Sequence, residues 1–151
     1  MFHKEERMRV IQKIATLFMA GTLMLLALCA NTQELVANDM NCPDSPNCVS
    51  SQAGDHDHFI EPFTFSDQPA EAMQRLKRAL LNEKRVTIVK EQPHYLHAEV
   101  RSLVFKFVDD VEFNLLPDQG LIQLRSSSRV GYSDLGVNRR RIERIRQLFQ
   151  K

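Results

Sequence analysis

The densest run of chemistry-bearing residues is Arg125-Ser126-Ser127-Ser128-Arg129-Val130-Gly131-Tyr132-Ser133-Asp134-Leu135-Gly136-Val137-Asn138-Arg139-Arg140-Arg141, which sets hydroxyls, glycines, one carboxylate and five arginines side by side. If Arg125 lies on a strand, alternation sends Arg125, Ser127 and Arg129 to one face and Ser126 and Ser128 to the other. Two guanidiniums then project together and repel unless an anion neutralises them, and their planar forks suit a carboxylate or a phosphate. Asp109 or Asp110 on a neighbouring strand would serve, and so would a bound carboxylate or phosphate. A helix beginning near Asn138 adds backbone N–H groups and a positive dipole end to the same neighbourhood. Two readings follow. One is an internal Arg–Asp network that fixes a glycine-bearing loop. The other is an anion-binding site built from Arg125, Ser126, Ser128, Arg129, Asp134, Asn138, Arg139, Asp109 and Asp110.

Other reactive side chains are weaker candidates. Ser126, Ser127, Ser128 or Ser133 would be the nucleophile of a hydrolase, with His94 or His97 as base and Asp109 or Asp134 as orienter, but no Gly-x-Ser-x-Gly elbow is present. His56-Asp57-His58 puts two imidazoles on one side of an extended chain, a spacing metals use, without an evident third ligand. His94 and His97 lie three apart, which on a strand sends them to opposite faces. Neither a cofactor nor a metal is implied by any motif.

Cys42 and Cys48 flank Pro43-Asp44-Ser45-Pro46-Asn47, and a pair closing so short a loop is expected to form a disulfide in an oxidising compartment. The front of the chain points to such a compartment. Lys4, Arg7, Arg9 and Lys13 precede an uncharged apolar run over 14–30, so residues 1–30 read as a signal peptide or an N-terminal membrane anchor. Leu26-Ala27-Leu28-Cys29 resembles a lipobox with Leu28 where a small residue is usual, which makes Cys29 a candidate for lipidation. The expected location is therefore outside the cytoplasm, at the periplasmic or cell-envelope face, membrane-tethered or secreted.

Residues 31–41 read as a linker, and the 151-residue chain leaves room for one domain, 42–151. The formal charge of +1 hides an asymmetry: residues 31–124 carry 8 basic and 15 acidic groups, residues 125–151 carry 8 and 2. Opposite poles can compensate one another within a fold, so nucleic acid is not an expected partner; the membrane, a small anion or an envelope protein is.

The elements that must position the arginine segment follow from periodicity. Residues 58–65 suggest a first strand, bent by Pro62. Ser66 and Asp67 offer caps for a helix beginning near Pro69, with Ala72, Met73, Leu76, Ala79 and Leu80 as its buried stripe and Asn82 as its stop. Residues 86–90 are β-branched, and Leu96, Ala98 and Val100 alternate with polar neighbours. Leu103, Phe105 and Phe107 continue an apolar set as a loop or bulge. Val111, Phe113 and Leu115 alternate in turn, and Pro117-Asp118-Gln119-Gly120 turns the chain into a strand over 121–127. From Asn138, Ile142, Ile145, Leu148 and Phe149 share one helical face. The order β-α-β-β-β-β-α predicts an α+β fold, an antiparallel sheet of about five strands with two helices packed on one face.

Three strings in this order, Cys42-Pro43-Asp44-Ser45-Pro46-Asn47-Cys48-Val49-Ser50-Ser51, Phe107-Val108-Asp109-Asp110-Val111-Glu112-Phe113 and the segment from Arg125 to Ile142, resemble the family of bacterial and plastid proteins known as domain of unknown function 1499. The resemblance implies that the three strings belong to one domain and that envelope attachment is in keeping with the family. It implies no activity, because the family has none agreed.

Overall fold

The computed structural model describes residues 40–151. The expected signal or anchor segment, Cys29 and most of the expected linker lie outside the described residues. Met40 is already buried, and its carbonyl accepts the Ser50 hydroxyl, so the described fold is in place from its first residue.

A six-stranded antiparallel sheet carries two helices on one face. The strands are β1 (Cys48–Ser50), β2 (Phe63–Thr64), β3 (Val86–Gln92), β4 (Tyr95–Arg101), β5 (Val108–Leu116) and β6 (Leu121–Ser128). The helices are α1 (Pro69–Leu81) and α2 (Val137–Phe149). Their spatial order is β1-β6-β5-β4-β3, with β2 pairing farther along the outer edge of β6. Three hairpins account for the centre, because β3 to β6 follow one another through short turns.

The alternation expected from sequence is what builds the core. Leu96, Ala98 and Val100 on β4, Val111, Phe113 and Leu115 on β5, and Ile122 and Leu124 on β6 all turn to the helix side. There they meet Ala72, Met73, Leu76, Ala79 and Leu80 of α1 and Ile142, Ile145 and Phe149 of α2. Each fully buried Leu, Ile or Phe contributes about 2 kcal/mol through removal of apolar surface from water. Phe63 sits between Phe113 and Phe149 at centroid distances of 5.9 and 5.4 Å, and the Arg146 guanidinium covers its ring at 4.5 Å.

Local chemistry explains the joints. Gly120 ends the Pro117–Gln119 turn at φ +62, and a Cβ there would come within 2.8 Å of the Phe65 carbonyl, so only glycine fits. The start of α1 departs from the expected caps. Gln68 precedes Pro69 without a side-chain cap, its backbone carbonyl receives the N–H groups of Glu71 and Ala72, and Asp67 instead forms a two-pronged pair with Arg75. The first strand also differs from expectation. Only Phe63 and Thr64 of 58–65 pair in a ladder, since Pro62 lacks a donor, while Phe59 makes a lone parallel bridge to Ser50. The sixth strand is β1, three residues beside a disulfide, too short to show a period.

Candidate functional site

Arg125 and Arg129 do share one face, the sheet face without helices, and each is met by carboxylates of this chain. The strand register places Glu112 opposite Arg125 and Asp110 opposite Ser127. Arg125 donates Nη1 to Glu112 at 3.1 Å and Nε to the Asn41 carbonyl at 2.9 Å. Arg129 grips Asp110 with Nε and Nη2, both at 2.7 Å, and Nη2 also reaches Glu99 at 2.7 Å. His97 Nε2 lies 2.8 Å from the same Asp110, Arg101 donates to Glu99 at 2.9 Å, and the Tyr95 hydroxyl donates to Glu112 at 2.6 Å. The Arg129 guanidinium holds the Asp110 carboxyl below its usual range against the opposing effect of partial burial, with His97 adding to the lowering. Burial, then the Glu112 carboxylate, pushes the Tyr95 phenol up.

The opposite face uses the alternate residues of the same strands. Asp109 is buried and bonded to Nη2 of Arg141, itself only 4% exposed. Nη1 of Arg141 donates to Asn138 Oδ1 at 2.7 Å and to Ser126 Oγ at 3.2 Å, and the Ser126 hydroxyl donates to that same Oδ1 at 2.6 Å. The Asn138 amide then donates to the Asn47 carbonyl at 2.9 Å and to Ser128 Oγ at 3.1 Å. One helix residue thereby ties β6 to the disulfide loop closed by Cys42 and Cys48. Asn47 returns the link by donating its own amide to the Gly131 carbonyl.

The remaining candidates act on backbone. Asp134 accepts the N–H groups of Gly136 at 2.8 Å and Asn138 at 2.7 Å, and so caps α2 from outside its left-handed Gly136. Arg139 donates to the Phe59 and Asp57 carbonyls at 2.8 and 2.7 Å. The nine candidate residues thus divide into an outer trio, Arg125, Arg129 and Asp110, an inner set around Asn138, and two backbone clamps.

The geometry does not assemble the hydrolase constellation. Ser126 and Ser128 are bonded to Asn138, Ser133 accepts the Leu135 N–H, and no serine hydroxyl is hydrogen-bonded to a histidine ring among the described residues. His97 is held by Asp110, whereas His94 sits in the β3–β4 turn. In the His56-Asp57-His58 run, His58 turns inward to Asp55, and no group of three or more metal-ligating side chains occurs among the described residues. Both ring nitrogens of His58 face acceptors, Asp55 at 2.8 Å and the Ser45 carbonyl at 3.2 Å; burial opposes its protonation, but these acceptors raise its pKa.

A feature missed by sequence reading lies where the inner network reaches the surface. A cleft of about 470 Å³ opens at the end of the sheet beside the β6-to-α2 junction. Lys84, Arg85, Arg101, Arg141 and Arg144 line it against two acids, Glu83 and Asp109. Arg144 clamps Glu83 at 3.0 and 2.7 Å and Arg141 holds Asp109, while Arg101 is paired with Glu99 outside the cleft, so Lys84 and Arg85 remain in excess. Among the described residues, the non-glycine positions with positive φ, Arg85, Lys106 and Leu135, sit in the three loops at this end. Such conformations cost about 1 kcal/mol or more each and concentrate where a loop has work to do. A larger hollow of about 570 Å³ lies beside the start of α1 and the His94 turn, but its titratable lining is only Glu91 and His94.

Against known families, residues 40–149 match the model described as Protein of unknown function (DUF1499). Neither the curated proteins nor the solved structures give a match.

Proposed function

The chain belongs to the DUF1499 family, and on that premise we propose that it is a non-catalytic, envelope-associated binding domain that takes a small anionic group in the cleft beside the β6–α2 junction. The observation that carries this reading is the lining of that cleft, five basic side chains to two acidic ones. A cleft with one sign of charge and low-dielectric walls concentrates a counter-ion. Arg125 and Arg129, the arginines that first suggested an anion, have carboxylates of the chain itself for partners, so the excess charge lies in the cleft instead. The Cys42–Cys48 disulfide and the apolar N-terminal run support an exported location.

The test is titration of the full chain with inorganic phosphate and with succinate, read as a rise in melting temperature. Binding to the folded state alone raises it by mass action. The paired substitution Lys84→Gln with Arg85→Gln is expected to abolish the rise without loss of fold. No rise with either anion would overturn the proposal, and so would a rise removed by Arg125→Gln or Arg129→Gln but kept in the cleft variant.

A further inference from the structure

The two ends of the sheet differ in a way that the cleft's charge does not explain. The β4–β5 loop carries Leu103, Val104 and Phe105 at 73, 74 and 73% exposure, and the Phe105 and Phe107 rings stack at 5.4 Å. The β6–α2 loop carries Tyr132 at 77% and Leu135 at 84%. Leu103 of the β4–β5 loop and Val137, the first residue of α2, line the same cleft, and Arg129 N–H, at the start of the β6–α2 loop, donates to the Val108 carbonyl at 3.1 Å, so the loops lie together. The turns at the other end, Pro93-His94 and Pro117–Gln119, expose no large hydrophobic residue. Grouped apolar exposure of this kind on a folded domain marks an interaction surface.

We propose that these loop tips dock the domain on an anionic phospholipid bilayer. The apolar residues stand on loop tips rather than lining a groove, and a bilayer accepts a protruding tip of any shape, whereas a protein partner needs a pocket cut to fit it. Tyr132 adds a ring with a polar end, suited to the interface between acyl chains and headgroups. The charge around the tips is complementary to an acidic leaflet. Lys106 lies between Phe105 and Phe107 in sequence, and Lys84, Arg85 and Arg101 line the adjoining cleft. The acids at this end are engaged internally: Glu83 by Arg144, Glu99 by Arg101 and Arg129, Asp109 by Arg141, and Asp134 by the first N–H groups of α2. Basic side chains flanking apolar residues are the composition that anionic lipid surfaces attract. This docking uses the loop tips and Lys106, not the cleft's occupant, so it stands or falls apart from the anion proposal.

The chain contains no tryptophan, so a single substitution makes a local reporter. In the full chain, the Phe105→Trp variant is mixed with vesicles of phosphatidylcholine and phosphatidylglycerol carrying brominated acyl chains. A Gln119→Trp variant, at the far end of the sheet, serves as the reference. The expected result is a blue shift and strong quenching for Phe105→Trp, weaker on pure phosphatidylcholine, little quenching for Gln119→Trp, and a several-fold reduction when Lys106→Glu is added. Equal quenching of the two reporters would overturn the proposal, since the N-terminal segment alone would then be bringing the chain to the vesicle. Absence of quenching at Phe105→Trp would overturn it too. A lipid-free blue shift that grows with protein concentration would assign the tips to a second copy of the chain instead.

Discussion

Asp109 and Asp110 are neighbours on β5 and live in two different electrostatic worlds. Asp110 points to the open face, where Arg129, His97 and water all reach it. Asp109 points to the helix side, where Arg141 is buried with it and bonded onward to Ser126 and Asn138. The same contrast runs through the arginine segment, with Arg125 and Arg129 outside and Ser126 and Ser128 inside. A strand with period 2 lets one short stretch of sequence serve a solvated ion-pair lattice and a dry polar network at once. The two differ in what removal of one member does. Outside, water replaces the lost partner; inside, the survivor is left as an uncompensated buried charge or an unsatisfied polar atom.

Removing Arg141 should therefore break the comparison open. Arg141→Met leaves the Asp109 carboxylate without its cation and is expected to cost about 3–5 kcal/mol, read as a fall in the urea midpoint. Adding Asp109→Leu should recover much of that loss, because a charge pair replaced by apolar groups of similar size is often close to neutral. A wild-type midpoint for the single variant would mean that the inner network does not hold the fold.

Asn138 comes next. Asn138→Leu removes the acceptor of the Ser126 hydroxyl, the shorter of two contacts of Arg141 Nη1 and one of two donors to the Asn47 carbonyl, at an expected cost of about 2 kcal/mol for buried groups left with fewer partners. The loss should be accompanied by faster hydrogen exchange at the Ser128 N–H, which donates to the Asn47 carbonyl, because Asn138 is what fixes the disulfide loop to β6. Unchanged exchange there would separate the loop from the inner network.

The disulfide is the covalent counterpart of that link. Cys48 pairs with Ser127 in register, and the bridge closes a sequence separation of 6. Closure of so short a loop restricts the unfolded chain by about 2 kcal/mol, so Cys42→Ser with Cys48→Ser should lower stability by roughly that amount while leaving β3 to β5 protected. A loss spread evenly over all strands would argue that the loop is integral to the core rather than an edge staple.

What could be read from sequence follows the range of the interactions involved. The alternation of Leu96, Ala98 and Val100 and of Val111, Phe113 and Leu115 is a local pattern and fixed both the strands and the face they bury. The helix spacing of Leu76 and Leu80, or of Ile142 and Ile145, did the same. The arginine segment was also visible, and alternation correctly separated Arg125 and Arg129 from Ser126 and Ser128. Which acid meets which arginine depends on register, and so Glu112 and Glu99 went unseen although they alternate with Asp110 and His97 on adjoining strands. Arg141 was visible only as a member of the arginine run; its burial follows from lying three residues after Asn138, on the same side of a helix that faces the sheet. The cleft was out of reach, since Lys84, Arg101 and Arg144 come together only when three chain-distant elements meet. β1 is too short to show a period and is set by its pairing with β6, the Cys48 disulfide and the Ser50 hydroxyl bond to the Met40 carbonyl.

The mildest test concerns the outer lattice. Arg129→Gln removes the cation that grips Asp110 and Glu99, yet Arg129 is well exposed and water takes its place, so the loss should be several-fold smaller than for Arg141→Met and should shrink further with added salt. Its pH dependence has a definite sign. Arg129, helped by His97, keeps the folded Asp110 pKa below the unfolded value of about 3.9. A lowered folded pKa means that this stabilisation is complete above the unfolded value and is lost as pH falls through the folded one. The stability gap between the wild type and Arg129→Gln should accordingly be constant near neutrality and close in acid, and the Asp110 carboxyl, followed by carbon-detected NMR, should titrate higher in the variant. A gap that is insensitive to salt and stays open in acid would place Arg129 with the inner network and erase the distinction between the two faces.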